Sequence, residues 1–325
     1  MKNKQSIKIN WLLVAILVLF IILPGGIFIK LASNEINCYL VTMLRYGIVA
    51  LVTLPFTIRA ILNKKQRKLL VKKLPIIATI TLVSCVSGPL HTAAIAYSSV
   101  SFIEIINLAA PIVFTIISIL VTRDKLSRYA VTGLLFAVLG GLVIMVLPTL
   151  LGTTGAINSF GWMPLAMQGV VIIMASAWTV YLRRMNESGL SMAPLIGIGF
   201  TASFLVSIPL AIADGGTEVF SEISNLSING WLMIAYLAIV ITILSRIIRT
   251  KAYEKIGTAS YASLDYLYYF MAIAAPIIIL GEVLSWEMVI GAILIIIGII
   301  LTRKHTHKNK LTKLLHKRFS NRRRK

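Results

Sequence analysis

The sequence is poor in the residues on which most soluble chemistry depends. It has two cysteines in 325 residues, Cys38 and Cys85, each in or beside an apolar run. Such a pair forms neither a disulfide framework nor a metal spacing. His305-Thr306-His307 has no carboxylate or cysteine nearby to complete a metal site. Acidic residues number 11 against 32 basic ones, and charged residues make up 13% of the chain. No Gly-x-x-x-x-Gly-Lys-Ser/Thr stretch occurs, which excludes ATP hydrolysis on this chain. Gly-x-Ser-x-Gly, His-Glu-x-x-His and a glycine-supported Asp pair are also missing, so an enzyme is disfavoured. No cofactor is implied.

What the chain has is apolar length. Apolar residues make up 58% of it and the mean hydropathy is +0.90, the composition of a polytopic membrane protein. Ten runs approach the ~20 residues that cross a bilayer. They are Trp11–Ala32, Cys38–Ile58, Leu74–Ser98, Ser101–Thr122, Tyr129–Leu147, Trp162–Leu182, Met192–Ala213, Trp231–Tyr253, Ala259–Leu280 and Trp286–Leu301. The first run is too long for a signal segment and has no Ala-x-Ala after it, so it reads as a retained helix. Pro148–Gly161, uncharged and rich in Gly, Thr and Ser, reads as a linker between five helices and five more. No filter-like glycine-rich loop falls at membrane depth, which argues against a channel.

The two halves are related. Ser101–Val143 reads as two apolar helices around the turn Arg123-Asp124-Lys125-Leu126-Ser127, and Ala259–Leu301 as two more around Gly281-Glu282-Val283-Leu284-Ser285. At this one offset, Asp124, Leu126 and Ser127 meet Glu282, Leu284 and Ser285. Gly133 and Gly140 likewise meet Gly291 and Gly298. Glycines seven apart share a helix face where a second helix can approach closely. Two such pairs after matching acidic-x-Leu-Ser turns indicate an internal repeat.

Charge fixes an orientation. With the N-terminus in the cytoplasm, the inner loops and tail receive every basic residue except Lys30, Arg45 and Arg246. Glu35, Asp214, Glu218, Glu222, Glu282 and Glu287 fall outside. Clustering of the basic residues between apolar runs and at the tail suits a membrane topology, not a nucleic-acid partner. Five helices per half then require the second half to sit upside down, an inverted-topology repeat. The expectation is an all-α integral membrane protein with ten transmembrane helices as two inverted five-helix repeats. Its divisions are residues 1–150, residues 151–302 and a basic cytoplasmic tail at 303–325. Composition points to a bacterial plasma membrane, and the fused repeats to a monomer.

Several local patterns carry a family resemblance. They are Met43-Leu44-Arg45-Tyr46, Ala94-Ile95-Ala96-Tyr97, Asn107-Leu108-Ala109-Ala110-Pro111, Lys251-Ala252-Tyr253 and the paired-glycine helices. In order and spacing they resemble the EamA-type ten-helix branch of the drug/metabolite transporter superfamily, over roughly Trp11–Arg303. The resemblance implies ten helices around a central cavity and secondary transport of a small metabolite. One departure is the ninth run, where Tyr269 occupies the position of the family's proline and Pro276 follows seven residues later.

Ionisable groups inside a membrane cost about 2.5–3.5 kcal/mol each at a helix centre. They fall here in two layers: Arg45, His91 and Glu104 near the outer side, Arg246, Arg249 and Asp265 near the inner. Glu104, Asn107 and Pro111 share a helix face, as do Tyr261, Asp265 and Tyr268, with Tyr269 beside them. Ser84, Ser87 and His91 form a polar stripe, and Trp178 and Tyr181 share a face. In the functional reading these surfaces line a central site. Glu104 or Asp265 binds a cationic group or exchanges a proton, Arg45 holds a carboxylate or another substrate anion, and aromatics form the walls. In the structural reading Arg45–Glu104 and Arg246–Asp265 are interhelical ion pairs. His91 is then a packing residue and the tyrosines belong partly to an interfacial belt. Trp11, Trp162, Trp231 and Trp286 open helices and read as belt residues.

The leading expectation is an exporter of a small amphipathic solute working by alternating access, coupled to protons or exchange. An uptake carrier, a lipid-linked-sugar flippase and a non-transporting scaffold are the alternatives. The basic tail, with Leu311, Leu314, Leu315 and Phe319 at helical spacing, is a candidate for contact with anionic lipid.

Overall fold

The computed structural model describes residues 10–122, 128–151, 162–249, 258–298 and 300–301. Those residues are predominantly helical, with no strand among them. The main helices are α1 (Trp11–Glu35), α2 (Cys38–Leu62), α3 (Lys64–Lys72), α4 (Leu74–Ala96) and α5 (Val100–Thr122). They continue with α6 (Arg128–Leu151), α7 (Met163–Glu187), α8 (Met192–Gly215), α9 (Ile228–Arg249), α10 (Thr258–Leu280) and α11 (Trp286–Gly298). Seven of them are long and apolar enough to cross a bilayer, and three shorter apolar helices lie at 131–144, 267–280 and 286–298. Their outer faces expose large apolar side chains, such as Leu51, Leu82, Phe270 and Ile278, as a lipid-facing surface does.

Two expectations change. Pro148–Leu151 is helical and belongs to α6, so the expected linker is at most 152–161, which lies outside the described residues. The basic stretch after α2 is itself a helix, α3, with Asn63 Oδ1 accepting from the amides of Lys65 and Gln66 as its cap. Gln66 ties α3 to the α7–α8 turn: its Nε2 donates to Gly189 O and its Oε1 accepts from Ser191 N.

Three helices are broken part-way. α1 breaks at Leu23-Pro24, α4 at Cys85-Val86 and α5 at Leu108-Ala109. A proline sits at or within the first turn of each second piece: Pro24, Pro89 and Pro111. Proline removes one helical donor and crowds the carbonyl four residues back. Yet Pro55, Pro209 and Pro276 lie inside unbroken helices, so proline alone does not break these rods. At two of the breaks, polar groups take up carbonyls. Tyr236 OH donates to Ile21 O at 2.8 Å beside the α1 break, and Ser87 Oγ to Ser84 O at 2.6 Å across the α4 break. α9 carries a π-helical stretch at Tyr236–Leu244. α10 stays continuous through Tyr269, the position that matches Pro111 just after the α5 break.

The centre of the bundle is the first piece of α5. Val100 to Ile106 are all buried, against Ile144 of α6, Ile172 of α7, Leu237 of α9 and Met288 and Ile295 of α11. Ionised groups brace its start. Glu282 accepts from Val100 N at 2.7 Å and Ser101 N at 2.8 Å, which serves the positive end of α5. On the other side of the turn, Lys30 Nζ donates to the carbonyls of Ile95, Ala96 and Ser98, the negative end of α4. Elsewhere at this end, Glu35 accepts from Ser227 N and Glu222 from Asn37 N, while Asp214 accepts from Asn37 Nδ2 and Tyr97 OH.

Candidate functional site

Glu104 lies in that central piece, 5% exposed, one turn inside the cap. A buried carboxylate needs hydrogen bonds or a counter-charge. Asn107, three residues on and on the same face, donates Nδ2 to Glu104 Oε2 at 3.2 Å. Asn107 Oδ1 accepts from Nε2 of Gln168, a residue of α7 that is 1% exposed. Gln168 Oε1 meets His91 Nδ1 of α4 at 3.0 Å. Four side chains from three helices therefore form one hydrogen-bonded line. Beside Glu104 the backbone of α1 comes close: a Cβ on Gly26 would stand 3.6 Å from Glu104 Oε1.

Arg45 belongs to the same region, within electrostatic reach of His91 and of Arg246. Its Nε and Nη2 both donate to Thr242 Oγ1 of α9, at 3.1 and 3.0 Å. Thr242 Oγ1 in turn donates to Leu237 O, five residues back, at 2.7 Å. That i−5 bond belongs to the π-helical stretch, where one extra residue per turn brings Thr242 round to the guanidinium. An aromatic bridge runs from the same place. The Arg45 guanidinium lies 5.3 Å from the Tyr46 ring centre, and Tyr46 and Phe200 stack with centroids 5.1 Å apart. Phe200 then carries Arg246 at 5.4 Å. Both cations are held against π faces, which lowers the cost of keeping them away from water.

The expected residues are thus divided. Arg45, His91, Glu104 and Asn107 come together, and Arg246 joins through Phe200. The Arg45–Glu104 ion pair is not formed: Arg45 binds Thr242, and Glu104 binds an amide. The outer-layer charges are satisfied through separate partners on different helices. Trp178 and Tyr181 stand apart, with Ile77, Leu182, Met185 and Leu195, Trp178 lying against Gly199. Tyr268 packs on Val18, Leu19 and Ile22 of α1, and Tyr269 joins the central cluster beside it, their rings 5.5 Å apart. Tyr261 and Asp265 lie on α10, their side chains outside the described residues, as is the Lys304–Lys325 tail.

Sequence reasoning passed over four residues of the site: Tyr46, Gln168, Phe200 and Thr242. Gln168 had a signal, as the one side-chain amide in its apolar run. Thr242 had none, because a threonine hydroxyl in an apolar helix ordinarily satisfies itself on its own backbone. Among the described residues no group of three or more His, Cys, Asp or Glu is placed to hold a metal ion.

The model of the EamA-like transporter family matches residues 9–146 and 162–304. No curated protein matches. Sixteen solved chains do. One of these, a crystal structure at 15% identity, superposes with a TM-score of 0.55 and covers 90% of this chain and 98% of its own. At that identity the likeness extends to the fold.

Proposed function

The chain belongs to the EamA-like transporter family, and from that premise we propose that it moves a small amphipathic solute across the membrane by alternating access. The family consists of transporters, so an enzymatic reading has no support at family level. The observation that carries the proposal is the buried Glu104 with no basic partner among the described residues. A purely structural carboxylate in a membrane core would be expected to sit on a cation. This one is left on a polar line that ends at a part-exposed histidine, close to a guanidinium held by another helix.

In this reading Glu104 binds a proton or a cationic group of the solute, and Arg45 an anionic one. The three broken helices and the π stretch of α9 all meet around this region, the arrangement by which discontinuous helices build a midplane site. Ten crossings in two inverted repeats fit the seven long and three shorter apolar helices. They also fit the contact of Gly140 on α6 with Gly291 on α11. The basic residues favour cytoplasmic termini, the composition favours a bacterial plasma membrane, and export is the direction proposed.

Counterflow in proteoliposomes, with a metabolite panel at two internal pH values, tests this. Wild type is expected to move a solute in a pH-dependent way, and folded Glu104→Gln to lose that dependence. Asp265→Asn tests the other carboxylate in parallel. Vesicles of opposite sidedness test direction. Transport unchanged in Glu104→Gln would remove Glu104 from the mechanism.

A further inference from the structure

The hydrogen-bonded line has a direction. An ionised carboxylate only accepts, so Asn107 must turn its NH2 toward Glu104 and its oxygen away. Gln168 must then give its NH2 to Asn107 and turn its own oxygen toward His91. An amide oxygen also only accepts, so His91 carries its hydrogen on Nδ1, and the neutral ring presents a lone pair on Nε2. A protonated Glu104 permits the opposite sense. With both carboxamides turned over by about 180°, its O–H donates to Asn107 Oδ1, Asn107 Nδ2 donates to Gln168 Oε1, and Gln168 Nε2 donates to His91 Nδ1. The ring hydrogen then resides on Nε2. Glu104 gains one proton from solvent. The imidazole stays neutral, losing hydrogen at Nδ1 and gaining it at Nε2 by exchange with water.

We propose that Gln168 is a specificity-determining residue: its carboxamide relays the charge of Glu104 to His91 and so sets which hydrogen-bonding character His91 Nε2 shows a solute. The ionised site offers two acceptors, the Glu104 carboxylate and His91 Nε2, and suits a solute bearing a primary ammonium group. The protonated site offers a donor at His91 and disfavours that solute. Gln168 is suited to the part because it is nearly fully buried and bridges α4 and α5 from α7 by direct hydrogen bonds. The assignment rests on the reading of this cluster as the solute site.

Other charged groups on the surrounding helices are already engaged. Arg45 is bound to Thr242, Lys30 to the last α4 carbonyls and to Ser98 O, and Glu282 to the α5 amides. Arg246 lies on Phe200, and Glu287 of α11 is buried with partners of its own. α10 contributes Asp265, whose side chain lies outside the described residues.

The test is 15N-histidine NMR on the full chain in nanodiscs, with His305, His307 and His316 replaced by Gln so that His91 alone is observed. Glu104 ionisation is followed separately by the carboxyl C=O infrared band that Glu104→Gln removes. The expected result is an Nδ1–H tautomer when Glu104 is ionised, converting to Nε2–H with the same midpoint as the carboxyl. In Gln168→Leu the carboxyl still titrates and the tautomer no longer follows; Asn107→Leu cuts the line at a second place if Gln168→Leu does not fold. In transport, Gln168→Leu is expected to reduce discrimination between an amine solute and its N-acetyl analogue about tenfold, the scale of one hydrogen bond to a charged group. A tautomer that is Nε2–H at every pH, or a switch that survives both leucine variants, overturns the relay. A switch present in a protein that moves no solute upholds the relay and counts against the transporter reading.

Discussion

Gly140 of α6 and Gly291 of α11 touch backbone to backbone. A Cβ on Gly140 would stand 2.6 Å from Gly291 O, and one on Gly291 would stand 2.7 Å from Gly140 O and 2.2 Å from Ile144 Cγ1. In an apolar solvent, where burial gives helices no reason to associate, such close approach is a main source of attraction between them. Gly141, the next residue on α6, has nothing within 4 Å of its built Cβ. Gly140→Leu and Gly291→Leu should therefore each destabilise the folded protein, by about 1–3 kcal/mol for overpacking. Gly141→Ala should be neutral or slightly stabilising. Thermal unfolding of the three purified variants in one detergent checks this; equal loss in all three would mean the close contact is not made.

Tyr46 occupies space that Gly88 leaves free. A Cβ at Gly88 would fall 2.3 Å from Tyr46 Cε2, inside the contact limit of a rigid ring. Gly88→Ala should push Tyr46 off Phe200 and weaken the support of both arginines, with a clear fall in stability and transport. Tyr46→Leu removes the clash, so Gly88→Ala should cost less in that background. A double-mutant cycle reads this coupling, and additive losses would contradict the packing.

Thr242→Val keeps the shape of the side chain and removes the oxygen that two Arg45 nitrogens share. A hydrogen bond to a charged group is worth about 1.5–3 kcal/mol. The variant should lose ten- to a hundredfold of transport rate, on the order of that energy, while Thr242→Ser retains most of it. Equal rates in Val and Ser variants would show that Arg45 does not depend on α9.

Glu282 and Lys30 hold the two ends of one turn from opposite parts of the chain. Glu282→Ala exposes two amides at the head of α5 and should cost about 0.5–2 kcal/mol. Lys30→Met leaves three carbonyls short of one donor and should cost a similar amount. Hydrogen exchange confined to residues 95–101 in both variants is the expected signature; protection unchanged there would remove the clamp.

The sequence was enough for an all-helical membrane chain, because hydropathy and length decide what can lie in a membrane, but not for the helix in the basic stretch after α2 or for the breaks in α1, α4 and α5. It also marked Arg45, His91, Glu104 and Asn107 as candidates, since an ionisable or amide group in an apolar run needs a reason to be there, and the fold brings these four into one region. Pairing was another matter. Charge complementarity suggested Arg45 against Glu104, yet each found a neutral partner, Thr242 and Asn107. Which side chain meets a guanidinium depends on helix rotation and on local winding. The π stretch that turns Thr242 toward Arg45 leaves no mark in its sequence, Ile, Val, Leu and Ala apart from Tyr236 and Thr242. Gln168 was visible as an isolated amide, but only the packing of α7 between α4 and α5 made it the link between a histidine and a carboxylate. Residue chemistry fixed what had to be satisfied; three-dimensional packing decided by whom.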